Sequence, residues 1–226
     1  MSNNIESLRP IFQKAISRQI GGFANGVLYD LCKNYPHHSE RCVILAKILL
    51  IGRAYAAAIE RRKSGAEIND DFYEKIVVPM FLKSNIDKKI SSLAKCDTLS
   101  KENLPAVLSV HKYLVARMRT ITGLDKRSLA SKYLHFHRPE LFFIYDSRVA
   151  RALGVCGKKM GIRLKKKDVP TKGDIHYRNF STKALLLKSK LEAHFHRKGI
   201  TLRQFDNFLV GIDNQALREK RNSATK

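Results

Sequence analysis

Apolar residues recur at three- and four-residue spacing along most of the chain, and that periodicity restricts it to helical folds. Ile5, Leu8, Phe12, Ile16 and Ile20 line one face of a first helix, which Gly21-Gly22 ends. A second apolar segment, Phe23 to Tyr35, stops at Pro36. Ser39 stands where a cap is expected, opening a long helix to about Lys63. That helix is apolar from Val43 to Ile51 apart from Lys47, and is therefore expected to be central; its cationic end suits the negative pole of a helix dipole, and Ser64-Gly65 closes it. Asn69 opens the next helix, with Asp70 and Asp71 in its first turn and Pro79 kinking or ending it. Further helices are expected over Asp87 to Lys95, Asn103 to Thr120, Asp174 to about Lys198, and Thr201 to near Gly211, followed by a polar tail over 215–226. Leu141 to Tyr145 is the one run rich in β-formers outside a helical pattern. The chain is therefore read as all-α, a single helical domain over 1–214, with two lobes (about 1–100 and 101–214) as the alternative.

Composition narrows the partners. Of the 226 residues 44% are hydrophobic, enough for a core without disulfides or metal, and this excludes global disorder. Lys and Arg number 43 against 20 Asp and Glu, a formal +23. The excess is lopsided: residues 101–226 hold 28 basic and 10 acidic residues, against 15 and 10 in residues 1–100. A polyanion is the natural partner of such a surface, DNA first and RNA second. No membrane association is expected, because the longest apolar stretch, Val43 to Ile51, is too short to span a bilayer and contains Lys47. No signal peptide is evident, and four widely spaced cysteines, Cys32, Cys42, Cys96 and Cys156, read as free thiols, so a cytoplasmic location is expected. There is no phosphate-cradling Gly-rich loop, no His-Glu-x-x-His and no Gly-x-Ser-x-Gly, so no cofactor is implied. His135 and His137 are two apart and diverge on a helix, and His37-His38 and His194/His196 lack partners at ligand spacing, so no metal site is expected.

The densest signal lies in residues 121–153. A turn at Thr122-Gly123 leads into a helix capped by Asp125 and carrying Leu129, Tyr133 and Phe136, which Pro139 breaks. The apolar run Leu141 to Tyr145 returns the chain to the core, and Asp146 sits where the next helix begins. Position alone makes Asp146 a helix cap, its charge stabilised by backbone N–H groups.

The order helix, turn, helix, apolar connector, Asp, helix resembles the helix-hairpin-helix DNA glycosylase superfamily, through Ile121-Thr122-Gly123-Leu124-Asp125 and Ile144-Tyr145-Asp146-Ser147-Arg148-Val149. The segment is also similar to an uncharacterised bacterial family with the signatures Ala-Ser-Lys-Tyr-Leu-His-Phe-His, here Ala130 to His137, and Ile-Tyr-Asp-Ser-Arg, here Ile144 to Arg148. The first resemblance implies a degenerate helix-hairpin-helix module in which Asp146 helps expel a flipped base, by stabilising a cationic sugar or activating water. It also implies an amine nucleophile 20 residues earlier, at Lys126. The hairpin departs from the superfamily's Leu-Pro-Gly-Val-Gly: it has one glycine, no proline and an added carboxylate. Lys126 also reads as a solvated lysine at a helix start. Lys132 either faces the same groove as Lys126 or is a surface lysine.

Gly157 to Gly173 reads as a basic loop, with Lys158, Lys159, Arg163, Lys165, Lys166 and Lys167 as phosphate-binding candidates. Arg127, Arg148, Arg151 and Arg178 join them, and Tyr177 and Phe180 are either base-stacking or core residues. The expected function is DNA binding with a base-excision activity centred on Asp146. The alternatives are a non-catalytic DNA- or RNA-binding protein on the same scaffold, and an interaction protein with an acidic partner.

Overall fold

The computed structural model describes residues 3–17, 23–61 and 71–224. Every regular element among them is helical: α1 (Asn3–Glu6), α2 (Arg9–Ser17), α3 (Phe23–Asn34), α4 (Arg41–Ala54), α5 (Val78–Leu82), α6 (Ile86–Ser91), α7 (Leu104–Thr122), α8 (Arg127–His137), α9 (Ser147–Lys159), α10 (Ile175–His194) and α11 (Leu202–Ala224). A π-helical stretch, Phe72–Val77, runs straight into α5, and Lys166–Asp168 forms a single 3-10 turn. The all-α class expected from the periodicity is what the chain adopts.

The helices form two compact units that do not follow chain order. A middle unit takes Gly22–Phe142 with Thr171–Asp174, and a flanking unit takes Met1–Gly21, Phe143–Pro170 and Ile175–Lys226. The alternative of two lobes, about 1–100 and 101–214, does not match these units: the middle unit runs through residue 100, and α2 packs against α11.

In the middle unit α3, α4, α5, α7 and α8 surround a core that includes Ile44, Ile48, Ile51, Phe81, Leu114, Met118, Tyr133 and Phe136. In the flanking unit α11 lies between α2 and α9, and α10 packs on α9. Its core is rich in aromatics: Phe12 lies 4.4 Å from Phe195 with the rings tilted by 31° and meets Phe208 edge-on, and Phe143 lies 5.5 Å from Phe205. Each such buried ring contributes about 1.5–3 kcal/mol of transfer free energy.

Several helix ends differ from expectation, each for a local reason. The first helix is broken at Ser7-Leu8 into α1 and α2, with Pro10 in the first turn of α2, where a proline costs no hydrogen bond. Its expected end at Ile20 and Gly21-Gly22 lies outside the described residues. Glu40, not Ser39, holds the N-cap position of α4. That helix stops at Ala54 rather than Lys63: Ala56 takes a left-handed φ of 48°, and the Ala57 N–H reaches back to the Gly52 carbonyl at 2.8 Å. Gly52 permits the return, since a Cβ there would stand 3.1 Å from the Ala58 backbone. The expected cationic end at Arg62-Lys63, the Ser64-Gly65 stop and the Asn69-Asp70 start also fall outside the described residues.

Pro79 does not end its helix. It lies inside α5, and the preceding π-helical turn, in which the Val78 N–H bonds to Tyr73 five residues back, takes up the mismatch that its missing N–H creates. The helix expected over Asp87 to Lys95 closes at Ser91 and continues as turns. α7 runs to Thr122, two residues past the expected Thr120, and stops at the expected turn, with Gly123 at φ 71°. Asp125 does not cap α8: Lys126 holds the N-cap position, and the Asp125 carboxylate is paired with Arg127 at 2.8 Å. The helix begun by Asp174 stops at His194, short of Lys198.

The last helix runs 23 residues through the expected stop at Gly211 and through the expected polar tail to Ala224. Gly211 serves close approach instead of termination, since a Cβ there would come within 2.6 Å of Ile11 on α2.

Candidate nucleic-acid interface

The sequence of α9 places an acid before its first turn and basic residues along it. Asp146 is the N-cap: its Oδ1 accepts the Val149 N–H at 3.0 Å, and the side chain is half-buried. From the first turns of the helix, Arg148 and Arg151 project at three-residue spacing toward α11. Both meet Asp213 of α11. Arg148 Nε donates to Asp213 Oδ2 at 2.9 Å and its Nη2 donates to Asn214 Oδ1 at 2.6 Å. Arg151 Nε donates to Asp213 Oδ1 at 2.8 Å, with its Nη2 at 2.7 Å from the same oxygen. The Asp213 side chain is only 2% exposed, whereas the two arginines are 46% and 54% exposed. Burial works to raise the Asp213 pKa, but the two guanidiniums hold it below the usual carboxylate value.

The basic segment that follows is only partly a loop. Lys158 and Lys159 form the last turn of α9, where cations suit the helix dipole. Arg163 and Lys165, Lys166 and Lys167 lie beyond it, the last two in the 3-10 turn that Asp168 joins by accepting the Lys165 N–H at 3.3 Å. All six side chains are exposed, and among the described residues none of them ends on a carboxylate. Arg178 is half-buried on α10. Tyr177 and Phe180 are core residues rather than a stacking surface: the Tyr177 hydroxyl donates to the Phe143 carbonyl at 2.9 Å, and Phe180 packs edge-on against Tyr145 at 5.0 Å. The flanking unit as a whole has 22 Lys and Arg against 7 Asp and Glu, whereas the middle unit has 21 against 13.

The remaining candidates belong to the middle unit. The Lys126 amine donates to the Arg61 carbonyl. Arg127 is ion-paired on both sides, its Nε 2.8 Å from both oxygens of Asp174 and its Nη2 2.8 Å from Asp125. Lys132 is neither a surface lysine nor a groove residue. It is buried, donates to Ser128 Oγ at 2.9 Å and lies over the Tyr55 ring. Asp146 thus stands in the flanking unit, and both amines proposed beside it stand in the middle unit.

The sequence gives little hint of the polar network inside the middle unit. Asp87 accepts the His38 backbone N–H at 3.0 Å and its Nδ1–H at 2.5 Å, and His38 Nε2 accepts the Tyr133 hydroxyl at 2.7 Å. Partial burial opposes ionisation of Asp87, yet the His38 hydrogen bonds hold it down to about 2. His135 is satisfied in the same manner, its Nδ1–H on the Phe142 carbonyl and its Nε2 on the Tyr29 hydroxyl. Lys47 is fully buried and donates to the Tyr35 and His37 carbonyls beyond the end of α3, with burial lowering its pKa. A lone lysine in an apolar run was the only visible signal for this network; its carbonyl partners come from a different segment. Cys32 and Cys156 are buried, and burial pushes both thiols up to about 12. Among the described residues no group of three or more His, Cys, Asp or Glu side chains is placed to hold a metal ion, and no helix is long and apolar enough to cross a membrane.

Comparison with protein-family models, with curated proteins and with solved structures gives no match.

Proposed function

We propose that this protein binds nucleic acid, DNA in the first instance, through the flanking unit. One observation carries the reading: the unit with a threefold excess of basic over acidic residues is also the one that presents six exposed cations, Lys158 to Lys167, with no carboxylate closing on them among the described residues. Each phosphate neutralised by such a cation releases condensed counterions, so affinity rests on entropy that added salt removes. Nothing in the segment reads bases, so binding is sequence-tolerant. Gel shifts on duplex DNA and on RNA across a salt series test the proposal. Binding that weakens steeply between about 50 and 200 mM salt is expected; no binding to either polymer at low salt overturns it in favour of a protein partner with an acidic surface.

A base-excision activity is the second reading. It is favoured by the position of Asp146, two residues before Arg148 at the positive end of α9. Asp146→Asn tests it cleanly, because Asn caps helices as well as Asp and leaves the Val149 hydrogen bond possible. Release of a damaged base by the unaltered chain, abolished in that variant, is the expected result. No release, or release unaffected by the substitution, leaves a non-catalytic binder.

A further inference from the structure

The arginines of α9 differ from the lysines that follow them. Lys158 to Lys167 are exposed point charges, whereas Arg148 and Arg151 share one buried anchor. We infer that Asp213 is a positioning residue that holds Arg148 and Arg151 as a fork for a single backbone phosphate of the bound strand. The inference rests on the nucleic-acid reading and specifies the group recognised.

Two cations converge on one carboxylate, so the cluster keeps a net positive charge after the ion pairs form. Each guanidinium spends its Nε edge on Asp213 at 2.7–2.9 Å, and Arg148 is braced further by Asn214. Of the five N–H donors on each guanidinium, those on Nη1 have no partner among the described residues. The two arginine side chains stay about half exposed while their anchor is sealed from water. Fixing an arginine in advance removes the rotamer entropy that a phosphate contact otherwise costs. The N-terminus of α9 adds its partial positive charge behind the pair. A structural clamp between α9 and α11 needs only one arginine and no exposure of its outer edge.

Asp213→Asn separates a positioning role from simple charge, because the two predict opposite signs. The substitution raises the formal charge by one, so a diffuse electrostatic surface binds DNA more tightly. A positioning residue loses its hold on the fork, and binding weakens by about fivefold with a salt slope shallower by roughly one phosphate. The experiment measures the dissociation constant of the full chain for a labelled duplex over a salt series, with thermal melting to verify folding. Asp213→Glu is expected to restore binding. Arg148→Lys with Arg151→Lys keeps every charge but removes the planar donors; it is expected to weaken binding to the same degree, and serves if Asp213→Asn does not fold. Binding that is unchanged or tighter in folded Asp213→Asn, or unchanged in the double lysine variant, overturns the inference while leaving the nucleic-acid reading intact. Absence of binding by the unaltered chain overturns both.

Discussion

Single buried side chains set the acid stability of the middle unit. His111 lies fully buried on α7, donating from Nε2 to the Arg127 carbonyl at 3.2 Å, and burial pushes its pKa down to about 4. Burial lowers His38 as well, against the pull of Asp87, and holds His137 well below the ordinary imidazole value. An unfolded chain takes up these protons near pH 6.5, and the folded one does not until much lower pH. The folded state is therefore fully favoured above about pH 6.5 and loses stability as pH falls from there toward about 4, by on the order of 3 kcal/mol from His111 alone. Urea midpoints measured across that window are expected to fall with pH. The non-titrating His111→Gln should show a shallower fall, whatever its stability at neutral pH. None of this was legible in the sequence. A histidine on a helix face looks alike whether its ring ends in water or in a core. The same holds for Asp213, whose partners lie more than 60 residues away, and for Lys47, whose partners are carbonyls of the segment before its helix.

At the scale of elements, the sequence announced where helices are but not where they stop. The apolar spacing located α7, α8 and α10, the segment of α3 showed only as an apolar run, and Asp146 and the turn at Gly123 marked ends that the structure shares. Stops were misread where one residue type serves two purposes. Gly123 terminates α7 in the left-handed region, whereas Gly211 lies inside α11 to let α2 approach. Serine and threonine divide in the same manner. The Gln204 N–H donates to Thr201 Oγ1 at 3.1 Å and the Thr201 N–H donates to Gln204 Oε1 at 3.0 Å, a reciprocal cap, while Ser39 only precedes the true N-cap of α4. Thr201→Ala is accordingly expected to cost about 1 kcal/mol of stability, and Ser39→Ala to stay within about 0.5 kcal/mol, in paired denaturant titrations. The candidate site was legible to the same partial extent. Arginines and lysines of the C-terminal half were visible as a charge excess, but the carboxylate that organises two of them was not. Lys126 and Lys132 matched a spacing and turned out to be engaged within the middle unit.

For the molecule as a whole, the distribution of charge matters more than its sum. Both units are basic, but acidic residues offset the excess far more in the middle unit. Reversing Lys165, Lys166 and Lys167 to Glu is therefore expected to weaken DNA binding much more than reversing the exposed Lys88, Lys95 and Lys101, although the net charge changes equally. Equal losses in a binding titration at fixed salt would show that only total charge counts. The topology has a further bearing on how the chain matures. The flanking unit is assembled from segments on both sides of the middle unit in sequence, and α11, its last helix, is the element against which α2 and α9 pack. During translation the middle unit is made between α2 and α11, so α2 must wait for its partner until the middle unit, α9 and α10 have all been synthesised. Throughout that interval a nascent chain exposes the apolar face of α2, joined once it is made by that of α9 and the lysines that follow it. A nascent chain is thus at its most vulnerable to chaperone capture in the interval before α11 is made.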